Sequence, residues 1–261
     1  MSVIETFHLV GANEALDWGD APTLCEFNGA TLQVDEADVH YCLLEIPVAR
    51  AIAALPPAVH PCIPGAIAVL HYHCPVSDVG AFELLTLAVL CRSAAKHRMM
   101  TLSAFTNNSQ AQSFFRDGWG YPVALADIKL AIHYDRVRSV VVQHGKKVLD
   151  VATRDPIALT GPGASVRYAQ SLNRAHTPRG SKLVQVDVSY EFKRSARGVP
   201  QFYVYDGAAL GDPHPMPGHP VSGTLVRANI SFGAVRFIAD PNTTAEAGGI
   251  TVVNEKSALV A

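Results

Sequence analysis

The sequence has little charge. Asp, Glu, Lys and Arg make up 17% of its 261 residues, and the formal net charge is -2. Such a balance gives no electrostatic reason to bind nucleic acid or an anionic membrane. Long apolar runs are also missing. No stretch approaches the ~20 residues needed to span a bilayer, and the longest candidate, Pro64 to Leu70, stops at His71. Met1 to Leu9 contains Glu5 and no basic cluster, so it does not read as a signal peptide. The five cysteines (Cys25, Cys42, Cys62, Cys74 and Cys91) are odd in number and contain no C-x-x-C pair. That pattern argues against a disulfide framework and a zinc ribbon, and a reduced cytoplasm is the expected setting. No internal repeat and no clean linker interrupts the chain, which points to a single domain over 1–261.

Apolar residues, by contrast, make up 49% and the mean hydropathy is +0.16. A chain this apolar can bury a large core and further surface between subunits. Strand signals dominate. Val39 to Ile46, Ala66 to His73, Phe82 to Cys91, Ile128 to Asp135, Lys182 to Phe192 and Thr224 to Ala239 read as buried strands. Val140 to Thr153 reads as a hairpin with His144-Gly145 near its turn, and Gln201 to Tyr205 as a short aromatic strand. Only Val48 to Leu55, ending at Pro56-Pro57, and Ser165 to Ala175 look helical. Gly207 to Val221, rich in Pro and Gly, is expected as a long loop. Asn242 to Ala261 is expected as a strand, an arm or a frayed tail.

One segment carries a recognisable signature. Arg116-Asp117-Gly118-Trp119-Gly120-Tyr121-Pro122-Val123-Ala124 resembles the Gly-Arg-Glu-x-x-x-Tyr-Pro-Lys-Lys motif of the acetoacetate decarboxylase-like superfamily. Phe115 stands in place of the first Gly and Asp117 in place of Glu. Pro56 to Pro122 aligns with the family without a gap, and Leu183 to Phe192 and Leu225 to Pro241 resemble its later strands more loosely. The resemblance implies a mainly β fold, a β-rich α+β cone or barrel with an extra sheet and a few short helices. It also implies a homo-oligomer.

In the family, the first lysine after Tyr-Pro condenses with a β-keto acid, and the imine acts as electron sink for loss of carbon dioxide. Here Val123 and Ala124 replace both lysines. The same alignment places Val69 and Leu84 where the family has two pocket glutamates, and Ala37 where it has an arginine. An imine cannot form on valine. Lys146-Lys147 imitates the missing pair but falls in a hairpin turn, and Lys129 lies on the following strand. Burial is what lowers a lysine pKa, so both read as structural.

The alignment also nominates replacements. If Val69 faces the pocket, strand alternation turns His71 and His73 the same way, and imidazoles suit acid–base work at neutral pH. Tyr41 shares the parity of Ala37. Arg116 is placed to hold a carboxylate or an enolate oxygen by paired hydrogen bonds. The catalytic candidates are therefore His71, His73, Arg116 and Tyr41, and the substrate-binding candidates are Val69, Leu84, Trp119, Tyr121 and Val123. Each has a plainer alternative: His71 and His73 as core or interface residues, Arg116-Asp117 as a structural ion pair, Trp119 and Tyr121 as packing.

Three functions remain open. The leading expectation is a cofactor-independent lyase-type enzyme acting through an enol or enolate on a hydrophobic oxo compound, by decarboxylation, dehydration, retro-aldol cleavage or cyclisation. The second is a non-catalytic small-molecule-binding protein. The third is a metal-dependent enzyme using His71 and His73, with Glu83 or His40 as a further ligand. No cofactor, nucleic acid, membrane or metal partner is called for by the leading reading, only a small-molecule substrate.

Overall fold

The computed structural model describes residues 9–13, 21–24, 31–93, 96–160, 166–212 and 218–245. In chain order these form β1 (Leu32–Ile46), α1 (Val48–Ala54), β2 (His60–Pro61), β3 (Gly65–Cys74), β4 (Val76–Ser77), β5 (Phe82–Ser93) and β6 (Lys96–Thr106). There follow α2 (Ser109–Trp119), β7 (Val123–Leu125), β8 (Asp127–Ile132), β9 (Arg136–Gln143), β10 (Lys146–Ala158), β11 (Gln170–Thr177), β12 (Gly180–Tyr205) and β13 (His219–Ala239). The chain is mainly β, as its strand patterning and the family resemblance imply.

The main strand path runs β11-β6-β5-β3-β1-β13-β12-β10-β9-β8, and β11 pairs with β12 as well as with β6. That second pairing closes seven strands into a barrel. β12 is 26 residues long, so its first part completes the barrel and its last part carries β10, β9 and β8 as an outer sheet.

Two apolar cores result, divided by strand alternation. The interior core takes Ala37 and Val39 from β1, Leu70 and Tyr72 from β3, Leu84 from β5 and Val186 from β12. The outer core takes Cys42 from β1, Val69 from β3 and Leu85 from β5, and packs them against Val141 and Leu149 of the outer sheet.

The hairpin expected at His144-Gly145 forms. Both residues have positive φ, 51° and 75°, as a tight two-residue turn between twisted strands requires. Gly223 is needed for a different reason. A Cβ there would lie 2.0 Å from Thr153 Oγ1, so only glycine lets β13 pass that side chain.

Two expectations are corrected. Of the helix expected over Ser165 to Ala175, residue 165 lies outside the described residues, 166–169 are irregular, and the rest belongs to β11, held in parallel by β6 and antiparallel by β12. Closing the barrel overrides the weak local helical pattern. Conversely, Ser109–Trp119 is a helix that strand-rich patterning hid. Asn108 caps it by accepting from the Gln110 and Ala111 backbone N–H groups, and Gly120 ends it in the left-handed region at φ 69°. Ala111, Phe115 and Trp119 recur at helical spacing and are buried. The strand β6 was likewise unmarked, because the register shift at Leu87/Ala88 breaks its alternation. Of the Asn242 to Ala261 segment, residues 246–261 lie outside the described residues, as do residues 1–8. No helix among the described residues is long and apolar enough to cross a membrane.

Candidate functional site

Val123 is buried on β7, beside Ala104 of β6, and belongs to the interior core. Tyr121 and Trp119 lead into it from α2 and share that core, as do Leu84 and, half-buried, Tyr41. The structure therefore brings together five of the nominated residues. Ala124, one residue on, turns outward against the other core, and Lys129, Lys146 and Lys147 are all exposed.

Four nominated residues lie elsewhere. Leu70, not Val69, packs with Val123, one residue out of step with the ungapped alignment. The parity argument for the histidines then inverts, because His71 and His73 share Val69's face. Arg116 is exposed in the last turn of α2. Its neighbour Asp117 is exposed too, lining an open groove of about 740 Å³ that lies along the helix.

The interior is furnished with phenols. Five of the eight tyrosines of the chain, Tyr41, Tyr72, Tyr121, Tyr168 and Tyr190, belong to it or pack against it. The Tyr72 and Tyr190 hydroxyls are 2.9 Å apart. In such a pair one phenol donates to the other, and the recipient keeps its own O–H for a ligand. Tyr168 packs between Tyr41, tilted, and Tyr190, edge-on, at 5.1 Å from each, and its hydroxyl is 3.4 Å from Thr224 Oγ1. Tyr190 lies parallel to Phe192 at 5.6 Å.

Burial, first of all, raises the pKa of each of these phenols. For Tyr121 it does so to about 12, against the lowering effect of hydrogen bonds with Ser171 and Asn173. All five are neutral hydrogen-bond donors at physiological pH. Of the buried charged residues among those described, Asp38, Glu83 and Arg98 face outward from the barrel wall by strand parity, Asp150 lies on the outer sheet, and Arg50 and Asp212 lie on α1 and in the turn after β12.

His40 and His71 form a separate buried layer, with His73 half-exposed at its edge. His71 Nε2 meets Glu83 Oε2 at 2.5 Å, and His73 Nδ1 meets Glu83 Oε1 at 3.1 Å. His71 Nδ1 and His40 Nδ1 share Ser139 Oγ of β9 at 2.9 and 2.7 Å. His40 Nε2 reaches Thr153 Oγ1 of β10 at 2.8 Å. The row thus ties the barrel wall to the outer sheet. Burial, then the neighbouring His71, lowers the His40 pKa to about 3.

Burial also pushes the adjacent Cys42 thiol up to about 12, so it is no thiolate. Ser139, His71 and Glu83 have the connectivity of a nucleophilic triad. However, Ser139 is fully buried and its hydroxyl is already divided between two imidazoles, so no substrate carbonyl can approach it. No group of three or more His, Cys, Asp or Glu among the described residues is arranged to hold a metal ion. Cys42, Cys62, Cys74 and Cys91 are free and buried.

Sequence reasoning missed Leu70, Tyr72, Tyr168 and Tyr190. The alternation Val184-Val186-Val188-Tyr190 carries the signal for the last, and Leu70-Tyr72 would have followed from a one-residue gap. Tyr168 was hidden inside the misread helix.

The acetoacetate decarboxylase family model matches residues 28–233. Among solved structures, an acetoacetate decarboxylase from Legionella pneumophila is similar at 16% identity and TM-score 0.68, over 88% of this chain and 99% of that one. An acetoacetate decarboxylase-like enzyme from Sphingomonas wittichii is similar at 14% identity and TM-score 0.61, over 82% and 94%. MppR, an enduracididine biosynthesis enzyme complexed with pyruvate, is similar at 15% identity and TM-score 0.63, over 80% and 91%. At these identities the likeness is one of fold. No curated protein sequence matches the chain. The family match spans well over half of the sequence, so the chain belongs to the acetoacetate decarboxylase family.

Proposed function

We propose that the chain is an enzyme of this superfamily that works without an imine, holding the carbonyl of a hydrophobic oxo compound in the barrel. The observation that carries the reading is the Tyr72–Tyr190 pair on the same interior face as Val123. The available phenol O–H is given to the carbonyl oxygen, and the bond strengthens as negative charge gathers there on the way to an enol or enolate. A neutral donor in an apolar, water-poor interior is worth more than in solution. Apolar Val123, Leu84 and Leu70 and the aromatic rings of Tyr168 and Trp119 suit an alicyclic or aromatic ligand. The reaction class is lyase-type.

One observation favours a second reading, a binding protein without chemistry. Among the described residues, the interior tyrosines, threonines and amides include no base with a pKa near neutrality.

Exchange of α-protons of an aryl ketone in deuterated water, followed by NMR, separates the two. In exchange, an α C–H bond breaks, water takes the proton and a deuteron returns to the enolate. The enzyme reading expects acceleration that falls at least ~10-fold in Tyr190→Phe, the effect of losing a hydrogen bond to a developing charge, and that persists in His71→Ala. Saturable binding with no acceleration supports the second reading. A borohydride-trapped covalent adduct with the wild-type chain would show that imine chemistry persists.

A further inference from the structure

Among the described residues, the interior presents donors without any cation. Of the 21 lysines and arginines, all but Lys256 fall within the described residues. Only two of those described, Arg50 and Arg98, are buried. Arg50 projects from α1 to an ion pair with Asp212. Arg98 shares the outward parity of Met100 on β6. Arg167, beside Tyr168 in the chain, and Arg197, opposite Thr224 in the register, are exposed, as are Lys193 and Arg194 beyond Tyr190 on β12, and Arg227 is paired with Asp38. The tyrosines themselves are neutral, for the reason already given.

From this we infer that the part of the ligand that enters the barrel is uncharged, a neutral aromatic or alicyclic ketone, aldehyde or ester rather than a keto acid. The inference rests on the reading of the interior as the ligand site and narrows it. A carboxylate taken from water into this interior loses its hydration and gains no opposite charge, and that loss exceeds what a few neutral phenol hydrogen bonds return. A carbonyl oxygen has far less hydration to lose and takes the same donors. Decarboxylation, which needs the carboxylate next to the carbonyl inside the barrel, is the least compatible of the lyase-type reactions.

Calorimetric titration of the full chain with methyl 3-benzoylpropionate and with 3-benzoylpropionate at pH 7.5 tests this, since the pair differs only in charge and one methyl group. The ester is expected to bind at least ~100-fold more tightly, the scale of an uncompensated buried carboxylate, and to weaken in Tyr190→Phe. Equal or tighter binding of the carboxylate, still weakened by Tyr190→Phe, overturns the neutrality of the ligand while leaving the interior as its site. Binding of the ester that Tyr72→Phe and Tyr190→Phe both leave unchanged, or no binding of either compound, overturns the reading of the interior and this inference with it.

Discussion

The two faces of the barrel wall are built from alternate residues of the same strands, yet they hold opposite chemistry. On β1, Tyr41 turns inward while His40 and Cys42 turn outward. On β3, Leu70 and Tyr72 face in, and Val69, His71 and His73 face out. The outer layer is rich in titratable groups, but they are consumed by one another: each imidazole of His40 and His71 has both ring nitrogens engaged. Among the described residues the interior holds neutral phenols instead, and the Tyr72–Tyr190 pair leaves one O–H unspent. Residue type pointed to the outer face, whereas hydrogen-bond accounting favours the interior as the site we propose.

Restoring a lysine is the harshest way to break the contrast. Val123→Lys places an amine among apolar neighbours without a counter-charge, and its pKa should fall by several units. A loss of about 4 kcal/mol of stability is expected, read by urea unfolding. A variant as stable as wild type would mean that the interior is wetter and more polar than described.

His71→Ala attacks the other face. It leaves Glu83 and Ser139 short of a buried partner and opens a void, for an expected cost of about 3 kcal/mol in the same assay. Ligand binding by the folded variant should not change.

A pH titration sharpens the comparison further. The unfolded chain protonates His40 near the ordinary 6.5, whereas the folded protein resists until about 3. Stability is then full above 6.5 and is lost as pH falls toward 3, by about 1.4 kcal/mol per pH unit over that window. Unfolding free energy measured at pH 7 and pH 5 should therefore drop by about 2 kcal/mol, and less in a His40→Gln variant. Smallest of all, Arg116→Ala should change stability by less than about 0.5 kcal/mol and leave binding intact, because its side chain is exposed.

Much of the architecture was legible in the amino-acid sequence. Apolar, strand-forming runs marked β3, β5, β12 and β13, and Pro56-Pro57 marked the end of α1. The signature around Tyr121 marked the family and placed Val123 inside. What escaped depended on register. One residue of misalignment on β3 exchanges Val69 for Leu70 and reverses every side chain that follows. β11 escaped because its strand character comes from partners distant in the chain, and α2 because its caps, Asn108 and Gly120, flank a segment already read for its motif. The charge layout of the two faces is a property of strand closure and is not encoded locally at any residue.

The claim that the barrel interior is the functional site is tested most directly by a crystal of the protein soaked with a brominated aryl ketone. The anomalous signal of the bromine then locates the ligand. The account expects a peak inside the barrel, with the carbonyl oxygen within hydrogen-bonding reach of Tyr190 or Tyr72 and the ring near Val123. A peak between the barrel and the outer sheet, beside His71 and His73, with the interior empty, would contradict it.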